Sequence, residues 1–554
     1  MLHLRCCLCS QFFILKVSRG RDMRILKRLL LTVVALVILI MAMLTGKSMM
    51  DRQDDYDVDL TGVEVPTFTA SAIAFNQGND FTVSLPFLAS AIIDIDGDGI
   101  EELFLGGGQN NPDGLFKFKN NQLVAIEGAA GLTKGNAASY GSVVLDVNGD
   151  GSQDLLVARQ DGIWLHQNNQ GSFTSTKLNA AMPDGTVPLS IAIADLNRDG
   201  AFDMYVAGYI RHDLVEGQNL FREGYGGSSR LFINNGDNTF TDMTDQAGLT
   251  YKHNTFQSAF IDIDRDGKED LIVAHDTGHV VTWRNLGGMK FERVSNPNTN
   301  EFSYPMGLGI TDLGNDGLVD FFFSNVGSTP PNFMIRGDLT DEQVSNWKWM
   351  LFQNRGGFKF EDVAAKVKIA DYEFSWGGVF EDLNLDGMED LLVSENYIGL
   401  PPHKVPFLRL NGRLLLQKAN GEFAPAEKEA GVINQTYSIS PLTADFNGDG
   451  RPDIVHANLN GDSKLFLSHA GKGNYLKVEL PHTVGSIGAT VTVKLTDGRT
   501  LSRPYVSGEG LCSDSSRIII FGLRDEKVSE INVSYLNGKV VSKNGSFDNT
   551  LVRF

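Results

Sequence analysis

Asp262-Ile-Asp264-Arg-Asp266-Gly267-Lys268-Glu-Asp270 is the stretch on which the fold turns. Carboxylates at alternate positions, followed by a glycine that permits a sharp bend, can fold back around one hard cation. Asp262, Asp264, Asp266 and Asp270 offer side-chain oxygens, and Lys268 a backbone carbonyl. An all-oxygen donor set of flexible number suits Ca²⁺ better than Mg²⁺ or a transition metal. The flanks, Ala259-Phe-Ile and Leu271-Ile-Val-Ala, are short apolar runs that read as strands.

The chain writes this loop seven times, beginning at Asp94, Asp146, Asp195, Asp262, Asp312, Asp382 and Asp445. The first copy, with Asp94, Asp96, Asp98, Ile100 and Glu102, is as complete as the fourth. Four copies carry Asn at the third position. They offer Asp146, Asn148, Asp150, Ser152 and Asp154; Asp195, Asn197, Asp199, Ala201 and Asp203; Asp382, Asn384, Asp386, Met388 and Asp390; and Asp445, Asn447, Asp449, Arg451 and Asp453. Asn keeps an oxygen ligand but removes a charge, which lowers affinity without abolishing a site. The fifth copy has Asp312, Asp316, Leu318 and Asp320 but only Gly314 at the third position, so it is expected to be weak or empty.

An EF-hand begins with the same residues, yet needs a bidentate Glu at position twelve and helices on both sides. Position twelve here is Leu105, Val157, Val206, Val273, Phe323, Val393 and His456. The loops are therefore β-hairpin calcium loops. Up to seven Ca²⁺ ions are the cofactor expected, and a structural role in pinning the strands is the simplest use for them.

A net charge of -20 on 554 residues looks like an acidic tail, but no acidic run exists. The loops hold 23 acidic ligand candidates, and seven divalent ions would cancel 14 of those excess charges. Acidity reports metal binding and argues against nucleic acid as a partner. Cys6, Cys7 and Cys9 precede an apolar segment and leave Cys512 alone beyond it, so no disulfide framework is available there. With no basic neighbour closer than Arg517, Cys512 reads as an inert thiol. Arg24, Lys27 and Arg28 stand before the apolar run Leu29 to Leu44, which is a signal peptide or an uncleaved signal anchor. The lack of a small-x-small cleavage site favours the anchor, hence contact with the membrane and export of the remainder. Met23 is an alternative start. The expected order is a cytoplasmic segment 1–28, an anchor 29–46, a polar tether 47–65, a repeat domain 66–470 and a small β domain 471–554.

Successive loops start 52, 49, 67, 50, 70 and 63 residues apart. Periods near 50 with several short strands point to a β-propeller, each blade a four-stranded antiparallel sheet. In the fourth unit strand A ends at Ile261, B is Leu271 to Ala274, C is His279 to Arg284 and D is Met289 to Val294. The turn Asn285-Leu-Gly-Gly between C and D has counterparts after Leu165-His-Gln-Asn, Leu231-Phe-Ile-Asn and Leu351-Phe-Gln-Asn. The expected fold is all-β: seven blades, then a small β domain. Unit seven lacks its own D strand; Pro66-Thr-Phe68-Thr-Ala upstream is the candidate to close the ring.

These repeats resemble the FG-GAP/VCBS repeats of integrin α-like propellers and of many bacterial exported proteins. Phe240-Thr-Asp-Met-Thr-Asp-Gln-Ala-Gly-Leu249 is similar to the cartilage acidic protein subfamily. Gly485-Ser-Ile-Gly-Ala489, Val506-Ser-Gly-Glu-Gly510 and Ile520-Phe-Gly-Leu523 resemble the ASPIC/UnbV module that follows such propellers. The resemblance implies export to a bacterial periplasm or cell surface, calcium and interaction, but no defined activity. No nucleophile motif, metal-histidine cluster or phosphate-binding glycine loop is found, and His166, His275, His279 and His403 are scattered. The leading expectation is a binding or adhesion module for a protein or glycan. The alternative is an enzyme or accessory maturation factor using the propeller's central pocket. In an up-and-down blade the calcium loops join A to B, so the B–C connections lie on the other face. The long spacings arise from B–C insertions at 208–229, 325–348 and 396–413. These carry Tyr209, Arg211, Phe221, Tyr225, Trp347, Tyr397 and His403, with Trp376 nearby, and are expected to anchor a partner if exposed. The alternative is that each insertion packs its aromatics beneath itself. Arg336-Gly337-Asp338, the tripeptide integrins bind, is a short match most often due to chance.

Overall fold

The structure, a computed structural model, describes residues 27–36, 39 and 58–554, apart from 110, 133–135, 218–219, 223, 328–334, 398–408, 460 and 470. Residues 27–36 and 39 are helical. Among the described residues no helix is long and apolar enough to cross a membrane, and the rest of the expected anchor lies outside them.

From residue 59 onward the chain is one compact, propeller-like all-β unit. Its first strands, here called A, are Ser90–Ile93, Ser139–Leu145, Thr186–Ala194, Thr255–Ile261, Leu308–Thr311, Ser375–Glu381 and Tyr437–Ala444. Each opens a sheet of antiparallel A, B, C and D neighbours, because each acidic loop turns the chain directly back along the strand it has left. In the fourth sheet Thr255–Ile261, Asp270–His275, Val280–Gly287 and Lys290–Val294 pair in that order. The A strands read as continuous buried runs because both their faces are covered, and the B strands do likewise. Neighbouring A strands pack side by side, and the fourth and fifth share a core through Ile261, Leu308, Ile310 and Phe321.

The seventh sheet takes its fourth strand from the far end of the chain. Phe68–Ile73 runs antiparallel to Ser463–Ser468, with Phe68 opposite Ser468 and Ile73 opposite Ser463. The pairing covers an otherwise bare edge. Leu60, Val63 and Val65, expected in a polar tether, pack against the core of the sixth and seventh sheets. Their apolar side chains make this stretch part of the folded unit.

The C-terminal segment forms two sheets. Asn474–Glu479 lies between Ile519–Arg524 and Thr550–Arg553, while Thr490–Leu495 lies between Thr500–Pro504 and Val528–Ser534, which also pairs with Val540–Phe547. Its interior is continuous with the repeat domain: Leu476, Val491, Val533 and Phe521 share one core with Val143, Ile193, Phe202 and Met204. The segment between the two sheets then enters the repeat domain itself. Ser513–Asp514 adds a parallel fifth strand beside Ser90–Ala91, and Leu308 and Gly510 exchange backbone hydrogen bonds.

Candidate metal centre

All seven acidic loops fold alike. The first Asp accepts the backbone N–H of the sixth-position glycine, at 3.0 Å for Asp94 and Gly99, 2.8 Å for Asp262 and Gly267, and 2.7 Å for Asp312 and Gly317. Asp146, Asp195, Asp382 and Asp445 do the same to Gly151, Gly200, Gly387 and Gly450. Gly267 has φ +81°, which a side chain would strain. The fifth-position Asp accepts the N–H of the seventh residue: Asp98 from Ile100, Asp150 from Ser152, Asp199 from Ala201, Asp266 from Lys268, Asp316 from Leu318, Asp386 from Met388 and Asp449 from Arg451. Local hydrogen bonds thus hold the carboxylates together on one side of the turn.

The last carboxylate in six copies has a second task that sequence reasoning missed. Asp270 accepts the N–H of Ile263 at 3.0 Å with one oxygen and that of Asn285, at the end of strand C, at 2.8 Å with the other. Asp154, Asp203, Asp320, Asp390 and Asp453 repeat the clip onto Asn168, Asn234, Asn354, Gln417 and Ser468. The Asn recurring before the C–D turn in four of the six, Asn168, Asn234, Asn285 and Asn354, was its signal in the sequence. Glu102 accepts only from Ile95 within its loop. Burial pushes Asp270, Asp203, Asp320 and Asp453 up to about 7 and Asp154 to about 6, and the neighbouring loop carboxylates push in the same direction. Glu102 is raised to about 8 by burial, then by Asp96, Asp94 and Asp98.

This donor set fits a hard divalent cation. The carboxylate oxygens of Asp94, Asp96 and Asp98 lie within 4.8 Å of one another, as do those of Asp262, Asp264 and Asp270. These are the two loops with acidic residues at every ligand position, and like charges so close call for a counter-charge. In the four Asn-bearing loops the Asn amide donates to the fifth-position Asp, at 2.8 Å from Asn148 to Asp150 and from Asn197 to Asp199, 3.4 Å from Asn384 to Asp386 and 3.0 Å from Asn447 to Asp449. Part of the counter-charge is supplied by the protein, in the fourth loop as well as the sixth and seventh. Lys477 Nζ stands 2.8 Å from Asp445, Arg524 3.2 Å from Asp386, and Arg284 2.5 Å from Asp264. Lys268 pairs with Asp266. Lys477 and Arg524 belong to the C-terminal segment, which therefore seats on the acidic-loop face. Its Ser502 N–H also bonds Asn315 of the fifth loop, 2.8 Å away.

The aromatics expected to be exposed on the opposite face are mostly interior. Phe221, Trp376 and Tyr397 are buried, and Tyr209 and Trp347 are partly so. Phe87 gathers Tyr209, Phe256 and Trp376 at ring-centroid distances of 5.9, 5.6 and 6.4 Å, and Phe221 packs on Trp347 at 6.1 Å. Tyr397 packs on Phe374 at 6.0 Å. The insertions fold back and bury their own rings, which corrects the expectation of an exposed anchor set. Of that set, Arg211 is exposed and paired to Asp213, Tyr225 is half-buried beneath Arg222, and His403 lies outside the described residues. Asp338 of the Arg-Gly-Asp tripeptide accepts the Phe221 N–H at 2.7 Å, so it is engaged within the fold. Cys512 is buried beside these rings and its thiol is pushed up by burial.

The FG-GAP-like repeat model matches residues 94–157, 146–206, 213–273 and 262–323, and the ASPIC and UnbV model matches 483–551. Human cartilage acidic protein 1 is 24% identical over 479 residues, which cover 79% of this chain and 63% of that protein. The Xenopus tropicalis protein of the same name is 25% identical over 499 residues, covering 81% of this chain and 71% of its own. This chain thus spans about three-fifths of the human relative's length. Among solved structures, BBS1N in complex with ARL6DN aligns at 9% identity and TM-score 0.41 over 73% of this chain and 98% of that one. The Vibrio cholerae biofilm matrix protein Bap1 aligns at 12% identity and TM-score 0.39 over 82% and 100%. The chain is an FG-GAP-repeat protein with a C-terminal ASPIC and UnbV module, similar over four-fifths of its length to cartilage acidic protein 1.

Proposed function

We propose that this chain is an exported binding module: a seven-bladed propeller whose acidic loops are stabilised by Ca²⁺ and whose B–C face recognises a protein or glycan. The observation that carries the reading is the sevenfold loop. A cation demand repeated at every A–B turn has a structural purpose, because each loop ties a B strand to its A strand and, through the last carboxylate of six copies, to the end of strand C. Extracellular calcium modules bind weakly and rely on a Ca²⁺-rich environment. That agrees with export and with the relatives' repeats. The C-terminal module occupies the acidic-loop face, which leaves the B–C face for recognition. Its irregular insertions are where repeat folds collect binding residues.

The test is capture. Immobilised residues 47–554 are exposed to extracellular protein and glycan fractions in Ca²⁺ and in chelator. Ligand retained in Ca²⁺ and released by chelator supports the reading. A folded protein that retains nothing in Ca²⁺ overturns it.

A further inference from the structure

A cleft of about 690 Å³ opens on the B–C side, between the D–A connection at 250–254, the B–C turn of the fourth sheet and the insertion around Phe221. That is within the range of about 300–1,000 Å³ usual for ligand sites. Three features set it apart. In a chain with 68 acidic residues and a net charge of -20, none of the described residues lining it is Asp or Glu. Arg222, Lys252 and Arg293 line it; Arg222 pairs with Glu216 at 2.8 Å, whereas Lys252 and Arg293 are exposed and form no ion pair among the described residues. Burial, then His253, keeps His275 well below the usual histidine range, so His275 adds no charge at neutral pH.

The walls are aromatic. Tyr251 and Trp283 stack at 6.1 Å with 15° between their planes, and His279 packs on Phe302 at 4.2 Å. Phe302 packs against the interior cluster that holds Phe87, while Trp283 packs against the core shared by the third and fourth sheets. Trp283 also carries an indole N–H that is buried and has no hydrogen-bond partner among the described residues. A buried donor left unsatisfied is costly.

We infer that this cleft binds an acidic oligosaccharide. Aromatic faces stack on the apolar faces of sugar rings, and uncommitted Lys and Arg side chains make charge-assisted hydrogen bonds to carboxylate or sulfate groups. The shared chemistry is a pyranose bearing an anion; a uronate and a sulfate ester are its two sources. Nucleic acid would bring aromatic bases and anions too, and the oligonucleotide probe below separates it from an acidic sugar. The inference rests on the reading of this chain as a binding module and names the ligand class and the residues.

The experiment is calorimetric titration of residues 47–554 in Ca²⁺ with four probes of matched length: an oligogalacturonate, a chondroitin sulfate oligosaccharide, a neutral malto-oligosaccharide and a single-stranded oligonucleotide. Binding of one or both acidic sugars, with neither the neutral sugar nor the oligonucleotide bound comparably, is expected. Which acidic probe binds separates uronate from sulfate. Lys252→Gln with Arg293→Gln should weaken binding about 10- to 100-fold. Trp283→Phe, which shrinks the indole to a phenyl ring and so reduces the stacking face, should weaken it about 2- to 10-fold. Melting should be unchanged in the Lys252→Gln, Arg293→Gln variant. No binding of either acidic sugar, equal binding of the neutral sugar or oligonucleotide, or unchanged binding in both variants overturns the assignment. Should the capture experiment still retain a ligand in Ca²⁺, the assignment fails alone and the binding-module reading survives.

Discussion

Replacing Asp270 by Ala should separate the two jobs of a loop carboxylate. Its two oxygens accept the backbone N–H groups of Ile263 and Asn285, and the residue is completely buried. Removing it strands two buried donors, each at a cost of about 1–3 kcal/mol, so about 2–6 kcal/mol is lost whether or not a cation is present. Unfolding about 500 residues carries an entropy of about 1 kcal/mol per kelvin, so the melting temperature should fall by about 2–6 °C. Asp266→Ala removes a cation-ligand candidate whose partners, the Lys268 N–H and ammonium, lie in the same loop, so its cost should appear in Ca²⁺ and shrink in EDTA. Differential scanning calorimetry of both variants, in Ca²⁺ and in EDTA, reads the difference. If the Asp270→Ala deficit disappears in EDTA, the carboxylate acts only through the cation and the clip argument is wrong.

Three further outcomes follow from the same geometry. A chain beginning at Ser84 loses Phe68–Ile73, exposes the edge of Ser463–Ser468, and should aggregate or melt early in light scattering and calorimetry; behaviour equal to a chain beginning at Lys47 would refute the closure. Asp276 is buried, accepts the Tyr209 hydroxyl at 2.5 Å, and is pushed by burial up to about 7 from the usual carboxylate range. A raised carboxyl binds its proton more tightly in the folded state, so stability should fall as pH rises from about 4 to about 7; Asp276→Asn should flatten that fall in a pH series of melts taken in excess Ca²⁺. Lys477→Met removes the ammonium beside Asp445 and should raise the number of Ca²⁺ ions bound per chain, counted by equilibrium dialysis, whereas an unchanged count would mean the lysine does not compete with metal.

What was legible in the sequence was local. Loop, strand and turn are written within about fifty residues of one another, so the order of A, B, C and D could be read from spacing. The closing strand at Phe68 was legible because unit seven lacked a partner and Phe68-Thr echoes Phe240-Thr. Convergence across hundreds of residues was not. Nothing in Val506-Ser-Gly-Glu-Gly510 says that Gly510 will bond Leu308, nor that Glu509 will accept the Ile310 N–H. The insertions misled for a related reason. Composition told that Phe221, Trp376 and Tyr397 were aromatic, but whether they cover a core or face a partner depends on the rings they meet: Phe302 for Phe221, Phe87 for Trp376 and Phe374 for Tyr397. The lateral cleft escaped notice because His253, His275 and His279 look unrelated until the fourth sheet folds them together.

Calcium holding the repeats together is the central claim, and thermal melting of residues 47–554 tests it most directly. A ligand kept at about 100 times its dissociation constant stabilises by about 2.7 kcal/mol per independent site, so several filled loops should shift the transition well beyond the effect of any single substitution. EDTA should lower the melting temperature markedly, Ca²⁺ should restore it, Mg²⁺ should not, and Asp94→Ala or Asp262→Ala should cost more in Ca²⁺ than Asp312→Ala. Superimposable curves in Ca²⁺ and in EDTA would contradict the account.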